Sequence, residues 1–285
     1  MSTSTGREKL AALQAQQARA ARQKKLLALT SGAVVVVLAI VAVFYFVGRS
    51  NADSDNKKAV SAASDAAYLK TVQHIPASTY DAVGAGSATT GPTAVNGGKP
   101  LTKNGKPEVL YIGAEFCPFC GMERWALTAA LSRFGTFSGL TTAVSTQNDN
   151  PPNIPTMSYL KSKYTSKYLT FTSFETQDRD GNALQTPSKE AQALIAKYDQ
   201  QGSIPFVDYG NYSTASGATF QGAQFMSNKS GNSVAAKLKD PKSTEAQGIL
   251  GAANVIASQL CQLTKGEPAS VCTSIGVARA GALRR

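Results

Sequence analysis

Histidine is almost absent from this sequence of 285 residues, in which His74 is the only one. A cysteine hydrolase needs a histidine base beside its thiolate, and nothing in the sequence brings His74 next to Cys117, 43 residues further on. The same scarcity argues against metal chemistry built on histidine ligands. We expect His74 to be a lid or packing residue.

Cysteines are also few, and the four that occur form two pairs, Cys117 with Cys120 and Cys261 with Cys272. A four-cysteine zinc site would need the two pairs close together, and ten residues between Cys261 and Cys272 is not the spacing of a zinc knuckle. The sequence therefore predicts neither a metal site nor a cofactor.

Acidic residues are scarce at the N-terminus, where residues 1–25 contain six Lys and Arg residues and only one acid, Glu8. The formal net charge of +11 is compatible with a nucleic-acid partner. Basic residues directly before a hydrophobic run are more simply a membrane topology signal. We therefore predict a basic tail and no nucleic-acid partner.

The segment 26–48 contains no charged residue. As a helix it would extend about 34 Å, enough to cross a hydrocarbon core of about 30 Å. The run is long for a signal peptide and no A-x-A site closes it, so the sequence predicts an uncleaved signal anchor inserted in the lipid bilayer.

The positive-inside rule places residues 1–25 in the cytoplasm and the chain after residue 50 outside the cell membrane. We thus expect a single-pass membrane protein with an extracytoplasmic C-terminal domain. Disulfides form and persist in such a compartment, which makes this placement decisive for how the cysteines are interpreted.

The chain outside the membrane divides by composition into three parts. Residues 49–65 are small and polar and predict a tether, 66–272 a folded domain, and 273–285 a flexible C-terminal tail. Strand and helix patterns alternate in the domain, which indicates an α/β fold. The predicted elements are strands at 108–116, 139–147, 168–176, 202–210 and 217–225, and helices at 118–135, 187–199 and 243–264.

Two cysteines with a Pro-Phe spacer stand where the strand 108–116 leads into the helix 118–135. The free N–H groups and the positive dipole end of a helix stabilise a thiolate on the first cysteine, so Cys117, at an exposed N-terminal lip, is the predicted nucleophile. Cys120 shares a helical face with Leu127 and Leu131 and should point to the core. It is the predicted resolving thiol.

This strand, C-P-F-C motif and helix resemble the thioredoxin-like superfamily, and the spacer is similar to those of glutaredoxins and DsbA-type oxidases. The resemblance implies a central mixed sheet flanked by helices, with a helical insertion, behind the single transmembrane helix. It also implies a cis Ile204-Pro205 bond facing the dithiol. A substrate peptide would then contact Ile204, Pro205, Pro118 and Phe119.

The sequence motif FCPFCGMERW, together with an N-terminal anchor, looks closest to the thioredoxin-like family called domain of unknown function 929. The resemblance covers roughly residues 65–272.

Glu115 and the second cysteine pair have their own interpretations. A carboxylate two residues before Cys117 disfavours the thiolate. Glu115 is either a buried proton acceptor for Cys120 or a solvated charge at the strand end. In an oxidising compartment, the even cysteine count and short separation suggest a structural disulfide between Cys261 and Cys272.

These observations lead to two functional hypotheses. In the first, the protein is a membrane-tethered thiol-disulfide oxidoreductase that acts on cysteine-containing extracytoplasmic proteins through Cys117 and Cys120. A membrane redox partner, a quinone-linked oxidase or a thiol donor, would reset it. In the second, the domain is a non-catalytic binding module or scaffold, and Cys117–Cys120 is a permanent structural disulfide.

Overall fold

The computed structural model describes residues 66–96 and 98–283. The predicted tail (1–25), membrane helix (26–48) and tether (49–65) lie outside these residues. Within the described part of the chain, no helix combines the length and hydrophobicity needed to cross a membrane.

Short helices and strands follow one another along the described chain. The helices are α1 (Ala67–Gln73), α2 (Ala77–Val83), α3 (Pro118–Leu131), α4 (Lys189–Tyr198), α5 (Ala223–Met226), α6 (Gly231–Lys237), α7 (Thr244–Leu263), α8 (Ala269–Cys272) and α9 (Ile275–Ala280), followed by a 3₁₀ turn, Gly281–Leu283. The strands are β1 (Thr93–Ala94), β2 (Thr102–Lys103), β3 (Lys106–Gly113), β4 (Gly135–Ser138), β5 (Thr141–Val144), β6 (Pro155–Ser158), β7 (Lys163–Ser166), β8 (Thr170–Glu175), β9 (Phe206–Tyr209) and β10 (Ser213–Ser216).

A mixed sheet lies at the centre of the fold, with β3 in its middle. β3 pairs in parallel with β8 on one side and antiparallel with β9 on the other, and β9 continues to β10. The run Val109–Ile112 is apolar at every position and buried, as expected of a strand covered on both faces. The predicted α/β class and the predicted strand at 108–116 are confirmed, although β3 ends at Gly113.

Alternation along β3 assigns its side chains to two cores. Val109 and Tyr111 join the larger core, which α3 and α7 fill by packing against each other. Leu110 and Ile112 face the opposite way, toward α4. Every residue of α3 except Phe119 is buried, so this helix is enclosed on all sides.

The resemblance implied a helical insertion, but residues 135–166, between α3 and β8, form two nested antiparallel strand pairs instead. β4 pairs with β7, and β5 pairs with β6. The second strand of the central sheet is β8, not the segment 139–147. The segment instead supplies β5 for the pair with β6, and β8 takes the place beside β3, with Thr170–Glu175 in register with Glu108–Gly113.

The strand predicted at 217–225 also lies elsewhere, because β9 returns immediately as β10. Gly210 and Asn211 both have positive φ, 67° and 61°, which is the backbone of a tight hairpin turn. The residues after 216 form a loop and the short helix α5.

The prediction of a flexible tail at residues 273–285 also needs correction, because most of this segment is folded. Val277 and Ala280 of α9 are buried, and the helix packs on α2 and α7. The backbone N–H of Gly276 donates to the Asp81 carboxylate at 2.9 Å. A Cβ at Gly276 would lie 2.5 Å from the Tyr80 carbonyl oxygen, so only glycine permits this approach.

Candidate functional site

The first motif cysteine occupies the N-cap of α3. Its backbone is extended (φ −74°, ψ 121°), and Pro118 takes the first helical position, where its missing N–H costs nothing. The Cys117 Sγ accepts a hydrogen bond from the Cys120 N–H at 3.2 Å. The side chain thus does what a serine or aspartate does at other helix starts.

The opposite wall of the site comes from the segment before β9. The Ile204-Pro205 bond is cis, and the Cys117 thiol donates to the Ile204 carbonyl at 3.7 Å. The Pro205 carbonyl accepts from the Gly217 N–H at 2.9 Å, which fixes this segment to the loop after β10. Two stretches of chain 87 residues apart therefore meet at one sulfur atom.

Burial differs sharply among the motif residues. Cys120 is fully buried, as its helical spacing predicted. Cys117 is only 5 % exposed, so the prediction that this cysteine is exposed at the helix N-terminus is wrong. The half-buried side chains of Phe116 and Ile204 pack beside it. Phe119 is 39 % exposed and projects from the same turn.

The four residues predicted to contact substrate divide into two groups. Phe119 and Ile204 retain exposed surface, whereas Pro118 and Pro205 are buried. Direct contact with another molecule is therefore open to Phe119 and Ile204, while the two prolines hold the backbone on either side of Cys117.

The two thiols differ in acidity because of their places in the helix. A hydrogen bond from the Cys120 thiol lowers the pKa of Cys117 below its ordinary value, against the effect of burial, and the Cys120 N–H adds to the lowering. Burial raises the pKa of Cys120 well above its ordinary value, and the Cys117 charge raises it further. The first proton therefore leaves Cys117 while Cys120 keeps its own.

A buried cation that sequence reasoning missed lies one helical turn after Cys120. The Arg124 side chain is completely buried and forms an ion pair with Glu175 at 2.9 Å. Its Nη1 also donates to the Tyr111 hydroxyl at 3.1 Å and the Ala114 carbonyl at 3.2 Å. The available signal was the charged pair Glu123-Arg124 inside a helical run that is otherwise mostly apolar, because such residue types are almost never buried unless paired.

Glu175, at the end of β8, holds the other charge of this pair. Its second carboxylate oxygen accepts from the Tyr159 N–H at 3.2 Å. Burial raises the pKa of Glu175 to about 7, although Arg124 acts in the opposite direction. For Arg124, burial lowers the pKa, but the acidic groups around it, Glu175, Tyr111, Cys120 and Cys117, together outweigh burial, so the guanidinium stays charged.

Glu115 is half-buried, and its backbone N–H donates to the Gln177 carbonyl at 2.9 Å. Its charge is close enough to Glu175 to contribute to the raised pKa of that carboxyl. The fully buried acid at this depth is thus Glu175, and the role of Glu115 as a proton acceptor for Cys120 stays a prediction.

A second buried acid, Glu123, anchors the loop after β10. Its carboxylate accepts from the Thr219 N–H at 2.8 Å and from the Thr219 hydroxyl at 3.0 Å. Burial raises the pKa of Glu123 to about 7. The partner of this acid could not be derived from the sequence, because Thr219 lies 96 residues away.

The remaining predicted residues lie away from the dithiol cluster. Cys261 and Cys272 form a disulfide that links α7 to α8, with 5.5 Å between their Cα atoms. His74 is exposed at the end of α1, with its Nδ1 2.8 Å from the Lys70 carbonyl oxygen. Across residues 66–96 and 98–283, no group of three or more His, Cys, Asp or Glu side chains is arranged to hold a metal ion.

A comparison with protein families identifies the family of this chain. The model of the family described as domain of unknown function (DUF929) matches residues 94–262, more than half of the chain, and the protein belongs to this family. No curated protein and no solved structure matches the chain significantly.

Proposed function

We propose that this protein is a membrane-tethered, extracytoplasmic thiol-disulfide oxidoreductase whose working centre is the pair Cys117 and Cys120. The observation that carries the proposal is the Cys117 Sγ at the N-cap of α3, 3.2 Å from the Cys120 N–H. This position favours a thiolate at Cys117, and the thiolate is the reactive form in disulfide exchange.

The order of elements supports a thioredoxin-like fold for the domain. The four main strands lie in the order β10-β9-β3-β8, with only β8 parallel to β3. Helices α3, α4 and α7 follow β3, β8 and β10. A mixed sheet flanked by helices, with the dithiol at the start of the first helix after the central strand, is what the resemblance implies.

The proposed reaction is a two-step exchange. The Cys117 thiolate attacks one sulfur of a substrate disulfide, and the other sulfur leaves as a thiolate that takes up a proton. Cys120 then loses its proton, attacks Cys117 of the mixed disulfide and releases the second substrate thiol, leaving a Cys117–Cys120 disulfide. Run backwards, the same steps oxidise two substrate thiols.

The surface beside Cys117 favours a polypeptide as substrate. Phe119 is exposed, and Ile204 and Phe116 are half-buried next to the sulfur, so an apolar side chain can pack there. The Ile204 carbonyl points at the same sulfur and can pair with a backbone N–H of an extended peptide. We therefore propose cysteine-containing extracytoplasmic proteins as substrates.

The compartment is part of the proposal. The segment 26–48 would anchor the chain in the cell membrane with its N-terminus in the cytoplasm, and a quinone-linked oxidase or a thiol donor in the membrane would reset the dithiol. The Cys261–Cys272 disulfide is consistent with an oxidising compartment.

A second candidate function is a scaffold with a permanent Cys117–Cys120 disulfide. The observation in its favour is the 5 % exposure of Cys117, which is low for a sulfur that must meet another protein.

A redox titration separates the two functions. The full-length protein carrying Cys261→Ser and Cys272→Ser is equilibrated in glutathione buffers of graded potential, and free thiols are counted by alkylation and mass spectrometry. We expect a reversible two-thiol transition above about −300 mV, the range of working rather than structural disulfides. A pair that stays oxidised throughout would establish the scaffold. The same protein with the additional substitution Cys117→Ser, which cannot form the Cys117–Cys120 disulfide, is the matched control.

A further inference from the structure

The helix that begins at the dithiol carries a charge where a core helix normally carries none. Cys120 and Arg124 are four residues apart on α3, so they lie on the same face of the helix, one turn from each other. Both side chains are completely buried. The guanidinium therefore acts on the dithiol through protein rather than through water, where it would be screened.

Ala114 connects the guanidinium to the two sulfurs. Its carbonyl accepts from Arg124 Nη1 at 3.2 Å, and the same residue packs against Cys117 and Cys120. The Ala114 backbone is also within hydrogen-bonding reach of the Cys120 sulfur.

The pairing of Arg124 is incomplete. Its Nε donates to the Thr156 hydroxyl at 3.3 Å, and its Nη1 serves Glu175, Tyr111 and Ala114. In the part of the chain that the structure describes, its Nη2 has no hydrogen-bond partner. A buried donor without a partner destabilises a fold, so stability alone does not account for this arrangement.

Glu175 offsets the cation only partly. Burial raises the pKa of this carboxyl above its ordinary value, which weakens the negative charge that it offers to Arg124. The other titratable groups around the guanidinium are the phenols of Tyr68, Tyr111 and Tyr159, whose pKa values burial raises, and the two motif thiols. A thiolate is thus the second negative charge that the site can present to Arg124.

We infer that Arg124 is a positioning residue that stabilises the thiolate form of the reduced dithiol, and that the centre therefore works as an oxidant of substrate thiols. The inference rests on the proposed function. Its physical basis is that any interaction made only by the reduced form favours reduction of the protein disulfide, as in disulfide donors whose reduced form is stabilised.

The inferred reaction oxidises a polypeptide that carries two free thiols. One substrate thiolate attacks the Cys117 sulfur, the Cys117–Cys120 bond breaks, and Cys120 leaves as a thiolate that takes up a proton. The second substrate thiolate then attacks the substrate sulfur of the mixed disulfide, and Cys117 leaves as a thiolate near Arg124. The substrate loses two electrons and two protons, and the protein gains the two electrons. A quinone-linked oxidase would restore the protein disulfide.

The test compares three charge variants of the full-length protein in detergent, in the background without Cys261 and Cys272. Arg124→Met removes the cation and keeps the length of the side chain, Glu175→Gln removes the anion and keeps the hydrogen-bonding shape, and Arg124→Lys keeps the charge. For each, the equilibrium constant for reduction of the protein disulfide by glutathione and the pKa of Cys117 from thiolate absorbance are measured, with circular dichroism as the check on folding.

We expect opposite effects from the two single-charge deletions. Arg124→Met should lower the equilibrium constant at least tenfold, equivalent to about 30 mV for this two-electron couple, and raise the pKa of Cys117. Glu175→Gln should raise the equilibrium constant and lower that pKa, and Arg124→Lys should stay close to the parent protein. Structural damage would not produce shifts of opposite sign.

The contrary outcomes are distinct for the two proposals. Shifts of the same sign in Arg124→Met and Glu175→Gln, or no shift in Arg124→Met, would overturn the role of Arg124 while leaving the proposed function in place. If Arg124→Met does not fold, the sign of the shift in Glu175→Gln decides. The inferred direction, oxidation of substrate thiols, would be overturned by a parent protein with two properties. Its dithiol would reduce substrate disulfides, and glutathione would fail to reduce its Cys117–Cys120 disulfide. A pair without any reversible transition would overturn the proposed function itself.

Discussion

The Cys117 Sγ lies 3.7 Å from the carbonyl oxygen of Ile204, and it can donate to this oxygen only while it carries its proton. Once the thiol ionises, the contact joins two acceptors and becomes unfavourable. The thiolate must then depend on donors from α3, such as the Cys120 N–H at 3.2 Å. Ionisation therefore also releases the Ile204 carbonyl for a substrate N–H, which couples activation of the sulfur to binding of the peptide.

Separate roles for the two cysteines predict different behaviour of their alanine variants. Cys120→Ala removes the resolving thiol, so mixed disulfides through Cys117 should accumulate at least tenfold over those of the parent protein. Cys117→Ala should trap none, because the remaining sulfur is completely buried. Non-reducing electrophoresis of extracts from cells that express each variant, followed by mass spectrometry, measures the trapped species. Equal trapping by both variants would contradict the assignment of nucleophile and resolving thiol.

Phe119 predicts an effect on substrate binding without an effect on the redox equilibrium. Its ring is 39 % exposed beside the nucleophile, so Phe119→Ala should raise the KM for a peptide substrate by about tenfold while kcat changes little. Steady-state kinetics with a fluorescent disulfide or dithiol peptide provides the measurement. Tyr212→Ala, which removes an exposed ring of another surface, is the matched control. A larger KM in the control than in Phe119→Ala would place the peptide elsewhere.

Buried Glu123 predicts that the domain becomes less stable as pH rises. Burial raises the pKa of Glu123 to about 7 from an ordinary value near 4.5, so between these values the unfolded chain binds fewer protons than the folded one. The free energy of unfolding should therefore fall by about 2–3 kcal/mol as pH rises from about 5 to about 8. Urea denaturation at a series of pH values measures it.

The variant Glu123→Gln should remove much of that pH dependence, because the amide oxygen still accepts from the Thr219 N–H but carries no titrating proton. The exposed Glu190→Gln should leave the dependence unchanged. Glu175 contributes a share of the same sign, so a residual slope is expected. An unaltered pH profile in Glu123→Gln would mean that this carboxyl is ionised in the folded protein.

Folding of α9 predicts a difference between two neighbouring aliphatic residues. Val277 is 4 % exposed and Ile275 is 58 % exposed. Val277→Ala should lower the free energy of unfolding by about 1–3 kcal/mol, and Ile275→Ala should change it by less than about 0.5 kcal/mol. Chemical denaturation of both variants gives the comparison. Equal and negligible effects of the two substitutions would mean that residues 273–285 are a flexible tail, as the sequence suggested.

The parts of the site that the sequence predicted are those encoded by neighbouring residues. The start of α3 follows from Pro118 and the preceding apolar strand, and the burial of Cys120 follows from its spacing to Leu127 and Leu131. The cis Ile204-Pro205 bond was expected from a resemblance, not from local physics.

The parts that the sequence did not predict depend on partners far away in the chain. Arg124 and Glu175 are 51 residues apart, and they meet only because β8, rather than the segment 139–147, lies next to β3. The pattern of a strand does not specify its neighbour, so neither the ion pair nor the antiparallel strand pairs between α3 and β8 could be derived. The same holds for the contact of Glu123 with Thr219.

The packing of α9 on α2 also constrains when the domain can fold. The polypeptide is synthesised from its N-terminus, so residues 77–83 leave the ribosome nearly 200 residues before residues 275–280, which they contact. The Asn254 amide of α7 donates to the carbonyls of Tyr80 and Gly84 at 2.8 Å, and this second connection also forms late. The core cannot close until α7 and α9 have emerged. While the chain is being synthesised, Cys117 and Cys120 must therefore remain accessible to other thiols until almost the whole domain has emerged.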